Sequence, residues 1–368
     1  ETTMTDQDRP PTPRVLSRRN VLIGSALGLA ALGGGAATYA FYGTDNPTTP
    51  DPVPSPTEST AAGTPGPSAT PGGERLGAMV GAPVDAQDVA RWREDVDTLV
   101  EFGQTLVRTG VYAWEVAPEP NVWDDAAAAF AREQLDYARQ AGLEVNLVVP
   151  GAPDWAQSYS FADYEQACRW FWTKTRETFG HQVALWQPYN EADHAHYQKF
   201  TAATRDAAYL GEFAHMLGVA KEVLGVDGVP ITTNLTGWPL NDETEKEWNL
   251  VLDAISAPLD VISIDLYPAD NEDEIGRIAA RMQRIKKKYG KPVYVAEIGL
   301  QTTADSWNES EQQRYVSAAL RQLRTVELWG ICLYELRDNA SPSGFGIKRE
   351  DGSHKKGFDD VMKALAPR

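Results

Sequence analysis

The chain has 368 residues, 42% of them hydrophobic, and its 34 basic and 52 acidic side chains give a net charge of −18. This charge argues against nucleic acid and anionic lipid as partners of the folded part and disfavours polyanionic substrates, so a neutral substrate fits best. The two cysteines, Cys168 and Cys332, are too few for a disulfide framework and are expected to be buried free thiols.

The first 43 residues have the features of an export signal. Arg18 and Arg19 stand just before an uncharged apolar run over residues 21–41, and this arrangement resembles the bacterial twin-arginine signal. A membrane helix is the alternative, because a run of 21 residues can span a bilayer, but the many glycines favour export. We therefore expect export by the twin-arginine route to the medium or the cell surface, with a membrane tether through residues 21–41 as the alternative.

Residues 44–75 contain mainly Pro, Thr, Ser and Gly, with few large apolar side chains. Such a composition cannot bury a core, so it predicts an extended, disordered linker. The folded domain is then expected over residues 76–368, and these 293 residues suit a single (β/α)8 barrel, whose usual size is about 250 residues.

Eight apolar runs in this domain predict strands, each followed by a helical pattern, the last of which is short. The runs cover residues 77–83, 105–112, 143–150, 183–191, 229–236, 259–267, 291–298 and 328–335. Regular alternation predicts a parallel sheet, and eight units predict that it closes into a (β/α)8 TIM barrel of the α/β class. A doubly wound nucleotide-binding sheet is the weaker alternative, because no Gly-rich phosphate loop follows the first strand, and no cofactor is expected.

Two of the predicted strands end in a glutamate. The fourth reads Val-Ala-Leu-Trp-Gln-Pro-Tyr-Asn-Glu up to Glu191, and the seventh reads Lys-Pro-Val-Tyr-Val-Ala-Glu up to Glu297. Active sites of such barrels lie at the C-terminal strand ends, and retaining glycoside hydrolysis needs two carboxyl groups roughly 5–5.5 Å apart. The pair therefore indicates a retaining glycosidase, and two salt bridges at the rim are the alternative.

With these motifs the chain resembles clan A of the retaining glycoside hydrolases, (β/α)8 enzymes that include cellulase-like and β-xylosidase-like members. Arg108 on strand two, residues 152–156 after strand three and residues 260–267 on strand six also match. The resemblance implies that Glu191 is the acid/base and that Glu297 is the nucleophile.

Three further residues are expected around this pair. Glu297 must stay ionised and so needs a cation, and Arg108 is the only basic residue on a predicted inner strand face that can supply it. Tyr267 is expected to reach Glu297 from strand six, and Asn190 to hold the sugar 2-hydroxyl. A structural ion pair is the alternative for Arg108, and an ordinary rim aromatic for Tyr267.

Two positions depart from the pattern of the clan. The clan often has a His two residues before the strand-six Tyr, where this chain has Asp265, a third acid that would contact the substrate or alter the pKa balance of the pair. On strand eight the clan commonly has a Trp platform, and here Tyr334 is the candidate. These departures weaken the assignment of a substrate more than they weaken the mechanism.

Loop residues complete the predicted cleft. Trp155 after strand three and Trp238 after strand five are expected at the same rim, because flat aromatic faces stack on sugar rings. His194 and His196 directly follow the strand-four glutamate, and a His-x-His pair can bind metal. Because this pair lies in a loop, we expect His194 to contact substrate and we expect no metal site.

The leading interpretation is an exported, monomeric glycoside hydrolase that cleaves a neutral poly- or oligosaccharide with retention, through a covalent glycosyl-enzyme. A transglycosylase with the same residues is the first alternative, because the choice depends on whether water or sugar reaches that intermediate. A non-catalytic carbohydrate-binding barrel is disfavoured, since both glutamates are present. In the helix after strand three, Trp172 is expected to face the barrel and Trp170 to be more exposed.

Overall fold

The computed structural model describes residues 74–83, 86–151, 154–191, 207–235, 242–267, 272–303, 307–339 and 344–367. The export segment, nearly all of the linker, His194 and Trp238 lie outside these residues, and the expectations about them stay predictions. Among the described helices, none is both long and apolar enough to cross a membrane.

Eight strands form one parallel sheet in which neighbours along the chain are also neighbours in space, in the order β4-β3-β2-β1-β8-β7-β6-β5. An isolated parallel bridge between Trp186 and Ile231 joins its two ends, so the sheet nearly closes on itself. The predicted TIM barrel is therefore confirmed, and every predicted strand overlaps an observed one. The strands are β1 (Arg75–Met79), β2 (Leu106–Gly110), β3 (Glu144–Val148), β4 (Val183–Gln187), β5 (Asn234–Leu235), β6 (Ile262–Leu266), β7 (Val293–Ile298) and β8 (Gly330–Leu333).

Helices follow the strands and cover the barrel. Asn308 caps the eighth of them: its side chain accepts from the N–H groups of Ser310 and Glu311, and the Glu311 carboxylate accepts from the Asn308 N–H. The last helix has only 8 residues, as expected. The helices are α1 (Ala86–Glu101), α2 (Ala113–Val116), α3 (Asp125–Gln140), α4 (Phe161–Phe179), α5 (Ala207–Leu224), α6 (Asp242–Ile255), α7 (Glu272–Tyr289), α8 (Glu309–Leu323) and α9 (Phe358–Leu365).

The apolar residues divide into two buried clusters, because successive side chains of a strand point to opposite faces of the sheet. The larger cluster fills the space between strands and helices and contains Cys168 and Trp172. The smaller one includes Leu106, Leu185 and Cys332 from the barrel strands. Both cysteines are free and buried, and Trp172 is fully buried, as predicted. Trp170 packs against the larger cluster while only partly buried, which confirms the predicted contrast.

The start of the domain differs slightly from the prediction. The first strand begins at Arg75, which the composition placed in the linker. Its Nε donates to Glu144 Oε2 at 2.5 Å, and its backbone pairs with Gly330. An ion pair with a residue 69 positions away holds this polar residue in the strand, and an apolar pattern does not reveal such a pair.

Candidate active site

Three acidic side chains meet at the C-terminal end of the barrel strands. One carboxyl oxygen each from Glu191, Asp265 and Glu297 lie within 4.8 Å of one another. The three residues are 2%, 0% and 5% exposed, respectively. We call them the carboxyl cluster. The structure thus brings together the two predicted catalytic glutamates and the acid that departs from the clan pattern.

Backbone geometry aims these side chains at one point. Asp265 on β6 and Glu297 on β7 are register partners, so both project into the barrel at the same height. Glu191 follows β4 with a φ of 47°, in the left-handed region that non-glycine residues rarely adopt. Its N–H donates to Asn234 Oδ1 at 3.1 Å, which helps to hold this conformation. Such strain costs on the order of 1–3 kcal/mol and is characteristic of functional sites.

Arg108 is the cation of the site. It is 1% exposed, and its guanidinium donates to Glu297 Oε1 at 2.8 Å, Asn190 Oδ1 at 2.6 Å and Gln187 Oε1 at 3.0 Å. Burial by itself would lower the pKa of Arg108, but the surrounding anionic groups, with Glu297 first, raise it overall. The guanidinium therefore stays charged beside the Glu297 carboxyl group.

Three amides orient one another beneath the carboxyl cluster. Asn190 Oδ1 accepts from Arg108, from Gln187 Nε2 at 3.0 Å and from Asn234 Nδ2 at 2.9 Å. These three donors fix the orientation of the Asn190 amide, with Nδ2 as its remaining donor group. Asn234 also accepts from Gln187 Nε2 at 2.6 Å and donates to Asp265 Oδ2 at 2.8 Å. Sequence reasoning missed Gln187 and Asn234, although each is a polar residue within a buried strand, which was a usable signal.

Tyr267 holds the second carboxyl oxygen of Glu297. Its hydroxyl donates to Glu297 Oε2, as predicted. Burial raises the pKa of Tyr267 well above its usual value, and the charges of Glu297, Asp265 and Glu191 raise it further, so the hydroxyl keeps its proton. The ring contacts Tyr334, with centroids 6.5 Å apart, and Phe345, with centroids 5.4 Å apart. Tyr334 therefore borders the site, but it is only 4% exposed, which leaves little of its ring open for stacking.

The pKa of Asp265 is raised well above its usual value, by burial first and then by the charges of Glu297 and Glu191. A further acid, Glu335, follows Tyr334 at the end of β8 and is 2% exposed. Burial, together with the charges of Asp338 and Glu297, raises the pKa of Glu335 to about 8. Sequence reasoning missed Glu335, although a glutamate directly after the proposed platform residue was visible in the sequence.

The observed contacts of Trp155 are with neighbouring loop residues and with α4. Its indole N–H donates to the backbone oxygen of Ala117 at 2.9 Å, and its ring packs on Tyr159 and Trp170. These contacts fasten the loop after β3 to α4, so a substrate contact by Trp155 stays a prediction.

Three clustered carboxyl groups could in principle hold a cation. Here protein donors already occupy several of their oxygens: Arg108 and Tyr267 donate to the two oxygens of Glu297, and Asn234 donates to Asp265 Oδ2. An ion at this point would have to displace those donors. The arrangement suits a site whose negative charge is balanced by a guanidinium and by protons.

Comparison with known proteins gives results consistent with this geometry. Residues 189–329 match the family model described as glycosyl hydrolase catalytic core, and this segment contains all three acids of the carboxyl cluster. No curated protein sequence matches the chain.

Several solved structures share the fold at low sequence identity. A GH5_18 protein from Streptomyces cattleya, in complex with Manb1-4GlcNAc, has a TM-score of 0.63 at 15% identity, over 77% of this chain and 78% of that one. A beta-glycosidase from Pyrococcus horikoshii has a TM-score of 0.60 at 15% identity, over 76% and 85%. An exo-beta-1,4-mannosidase from Opitutaceae bacterium strain TAV5 has a TM-score of 0.59 at 17% identity, over 79% and 59%. The matched catalytic core and the barrel, with its carboxyl cluster at the strand ends, support a glycoside hydrolase.

Proposed function

We propose that this chain is a retaining β-glycosidase or a related glycanase, with Glu297 as nucleophile and Glu191 as acid/base. The observation that carries the proposal is the approach of their carboxyl oxygens to within 4.8 Å. Retaining enzymes hold the two carboxyl groups about 5–5.5 Å apart, whereas inverting enzymes need roughly 6.5–9.5 Å to admit a water between acid and base.

The first step forms a covalent ester. The Glu297 carboxylate attacks the anomeric carbon while the carboxylic acid of Glu191 gives its proton to the glycosidic oxygen, so the bond to the leaving sugar breaks. In the second step the Glu191 carboxylate takes a proton from water. The resulting hydroxide attacks the anomeric carbon from the face that the leaving sugar vacated, opposite Glu297, and the ester bond breaks to release the Glu297 carboxylate. Two displacements return the original anomeric configuration.

The surroundings of each glutamate suit its role. Arg108 and Tyr267 donate to the two oxygens of Glu297, which orients the carboxyl group for attack. The fixed amide of Asn190 presents its Nδ2 group for the sugar 2-hydroxyl, a contact that strengthens as the transition state develops. Glu191 is 2% exposed and lies beside the buried carboxyl group of Asp265.

The substrate we propose is a neutral, β-linked oligo- or polysaccharide. A neutral substrate is supported by the net charge of −18, which disfavours polyanions. The β linkage is supported by the fold neighbours, whose names include a beta-glycosidase and an exo-beta-1,4-mannosidase. Trp155, Trp238, Tyr334 and His194 remain the candidates for contacts along the sugar chain.

Two variants test the catalytic roles. Glu297→Gln should nearly abolish turnover with an unchanged circular dichroism spectrum. Glu191→Ala should still cleave aryl glycosides with good leaving groups, because general-acid help worth roughly 10²–10⁴-fold is then less needed. Added azide should accelerate this variant and yield a glycosyl azide with the configuration of the substrate. Full activity in Glu297→Gln, or an inverted product from the wild type, would refute the proposal.

The site of action is proposed to lie outside the cytoplasm. The support is the Arg18–Arg19 pair before the apolar run at residues 21–41. Replacing both arginines with lysine should leave the full chain in the cytoplasm of an expressing bacterium, with unchanged specific activity after purification. Normal export of this variant would exclude the twin-arginine route.

A further inference from the structure

We propose that Asp265 acts as a neutral carboxylic acid that donates a hydrogen bond to Glu191 and positions it through the catalytic cycle. The proposal rests on the proposed function and adds a role for the acid that stands where the clan often has histidine. Asp265 is a positioning residue here, because it acts on the substrate only through Glu191.

A hydrogen bond between Asp265 and Glu191 requires a proton on one of the two carboxyl groups. Asp265 is fully buried, and its Oδ2 accepts from Asn234 Nδ2 at 2.8 Å. Its Oδ1 is buried and has no hydrogen-bond partner among the described residues. One carboxyl oxygen of Glu191 lies within 4.8 Å of a carboxyl oxygen of Asp265. Two ionised carboxylates are both acceptors, so this contact becomes a hydrogen bond only if one of them carries a proton.

The charge balance leads to the same conclusion. Asp265 faces Glu297 on β7, Glu191 after β4 and Arg108 on β2. Tyr267, directly after β6, keeps its proton, and Asn234 on β5 is uncharged. With all three acids ionised, one guanidinium would face three negative charges in a buried site. If only Glu297 is ionised, its charge is paired with Arg108. Burial and the two neighbouring acids also raise the pKa of Asp265, in agreement with the neutral form.

The neutral form keeps the site balanced during the reaction. When Glu191 gives its proton to the leaving oxygen, it becomes a carboxylate while Glu297 becomes an uncharged ester. The Asp265 proton on Oδ1 can then donate to the new Glu191 carboxylate and stabilise it until Glu191 takes a proton from water in the second step. An ionised Asp265 would instead place two carboxylates in contact at that moment, which is unfavourable in a buried site.

The test compares Asp265→Asn with Asp265→Leu. Asn keeps the size, the acceptor for Asn234 and a permanent donor toward Glu191. We expect the kcat/KM of Asp265→Asn to stay within about tenfold of the wild type. The kcat/KM of Asp265→Leu, whose side chain has no hydrogen-bond donor, should fall by roughly 10²-fold or more. The alkaline limb of the kcat/KM profile of Asp265→Asn should stay in place or move up in pH.

An ionised Asp265 predicts the opposite result. A negative neighbour would raise the pKa of Glu191, so its removal in Asp265→Asn would move the alkaline limb down by about one pH unit or more. Such a shift would overturn the proposal, as would equal activity of the wild type and Asp265→Leu. Infrared spectroscopy supplies a readout independent of turnover. At neutral pH the wild type should show a band from a buried protonated carboxyl group that is missing in Asp265→Asn. If the wild type lacks this band, the proposal is also overturned.

A trapping control separates this proposal from the proposed function. A 2-fluoro glycoside with an activated leaving group should label Glu297 in both the wild type and Asp265→Asn. If the wild type is not labelled at Glu297, the proposed function fails, and this inference fails with it. If labelling is normal but the alkaline limb of Asp265→Asn moves down, only the role of Asp265 is wrong.

Discussion

Replacing Arg108 with methionine removes the only cation that contacts the carboxyl cluster in the described part of the chain. Methionine has a comparable length and no charge, so the change deletes the hydrogen bonds to Glu297, Asn190 and Gln187 with little change in volume. The buried Glu297 carboxylate then keeps the donor from Tyr267 but loses its counter-charge.

The expected loss of stability follows from this burial. Breaking a buried ion pair by removing one partner costs about 3–5 kcal/mol, because the remaining charge is uncompensated. For a domain of this size we expect the Tm to fall by roughly 6–15 °C. Loss of the donor that orients the proposed nucleophile should also lower kcat/KM by roughly 10²-fold or more.

A double-mutant cycle provides the assay. The Tm and kcat/KM with an aryl glycoside are measured for the wild type, Arg108→Met, Glu297→Gln and the double variant. The double variant should be more stable than Arg108→Met, because a neutral glutamine needs no cation, yet it should remain inactive. Arg108→Lys is the matched control and should be intermediate, since lysine keeps the charge but not the guanidinium fork. If Arg108→Met keeps its Tm within about 2 °C, or the double variant is the least stable, the proposed ion pair does not stabilise the site.

Three further outcomes are expected. Tyr267→Phe should lower kcat/KM by roughly 10–100-fold at nearly constant Tm, because it removes one hydrogen bond to the charged Glu297; unchanged kinetics would contradict this role. Trp172 is fully buried, so Trp172→Ala should lower the free energy of unfolding by about 3–5 kcal/mol in chemical denaturation, and Trp170→Ala should lower it by clearly less. The reverse order would contradict the observed packing of the two side chains. Glu335 holds its proton in the folded state up to a pH of about 8 but loses it near 4.5 when unfolded. The free energy of unfolding of the wild type should therefore fall as pH rises between these values, by up to about 1.4 kcal/mol per pH unit. Glu335→Gln should show a shallower fall in urea titrations at pH 5 to 8, and identical slopes would contradict the raised pKa.

The sequence was sufficient for the barrel and for its two catalytic candidates. Eight apolar runs separated by helical patterns determine a closed parallel sheet, because each element must bury its apolar face against the next. In such a sheet all C-terminal strand ends meet at one rim, so glutamates at the ends of the fourth and seventh strands must approach each other. Local signals such as the Asn308 cap and the contrast between Trp172 and Trp170 were readable for the same reason: they depend on spacing along a single helix.

Contacts between side chains on different strands were decided only by the tertiary structure. The network from Arg108 through Asn190 and Asn234 to Asp265 joins strands that are dozens of residues apart, and the sheet register alone sets which side chains touch. The left-handed backbone at Glu191 likewise has no signature in composition or periodicity. The small exposed fraction of Tyr334 and the contacts of Trp155 with Ala117 and α4 depend on how loops pack over the strand ends. Hydrophobic patterning specifies which face of an element is buried, whereas the identity of each partner depends on the three-dimensional register that closure of the barrel imposes.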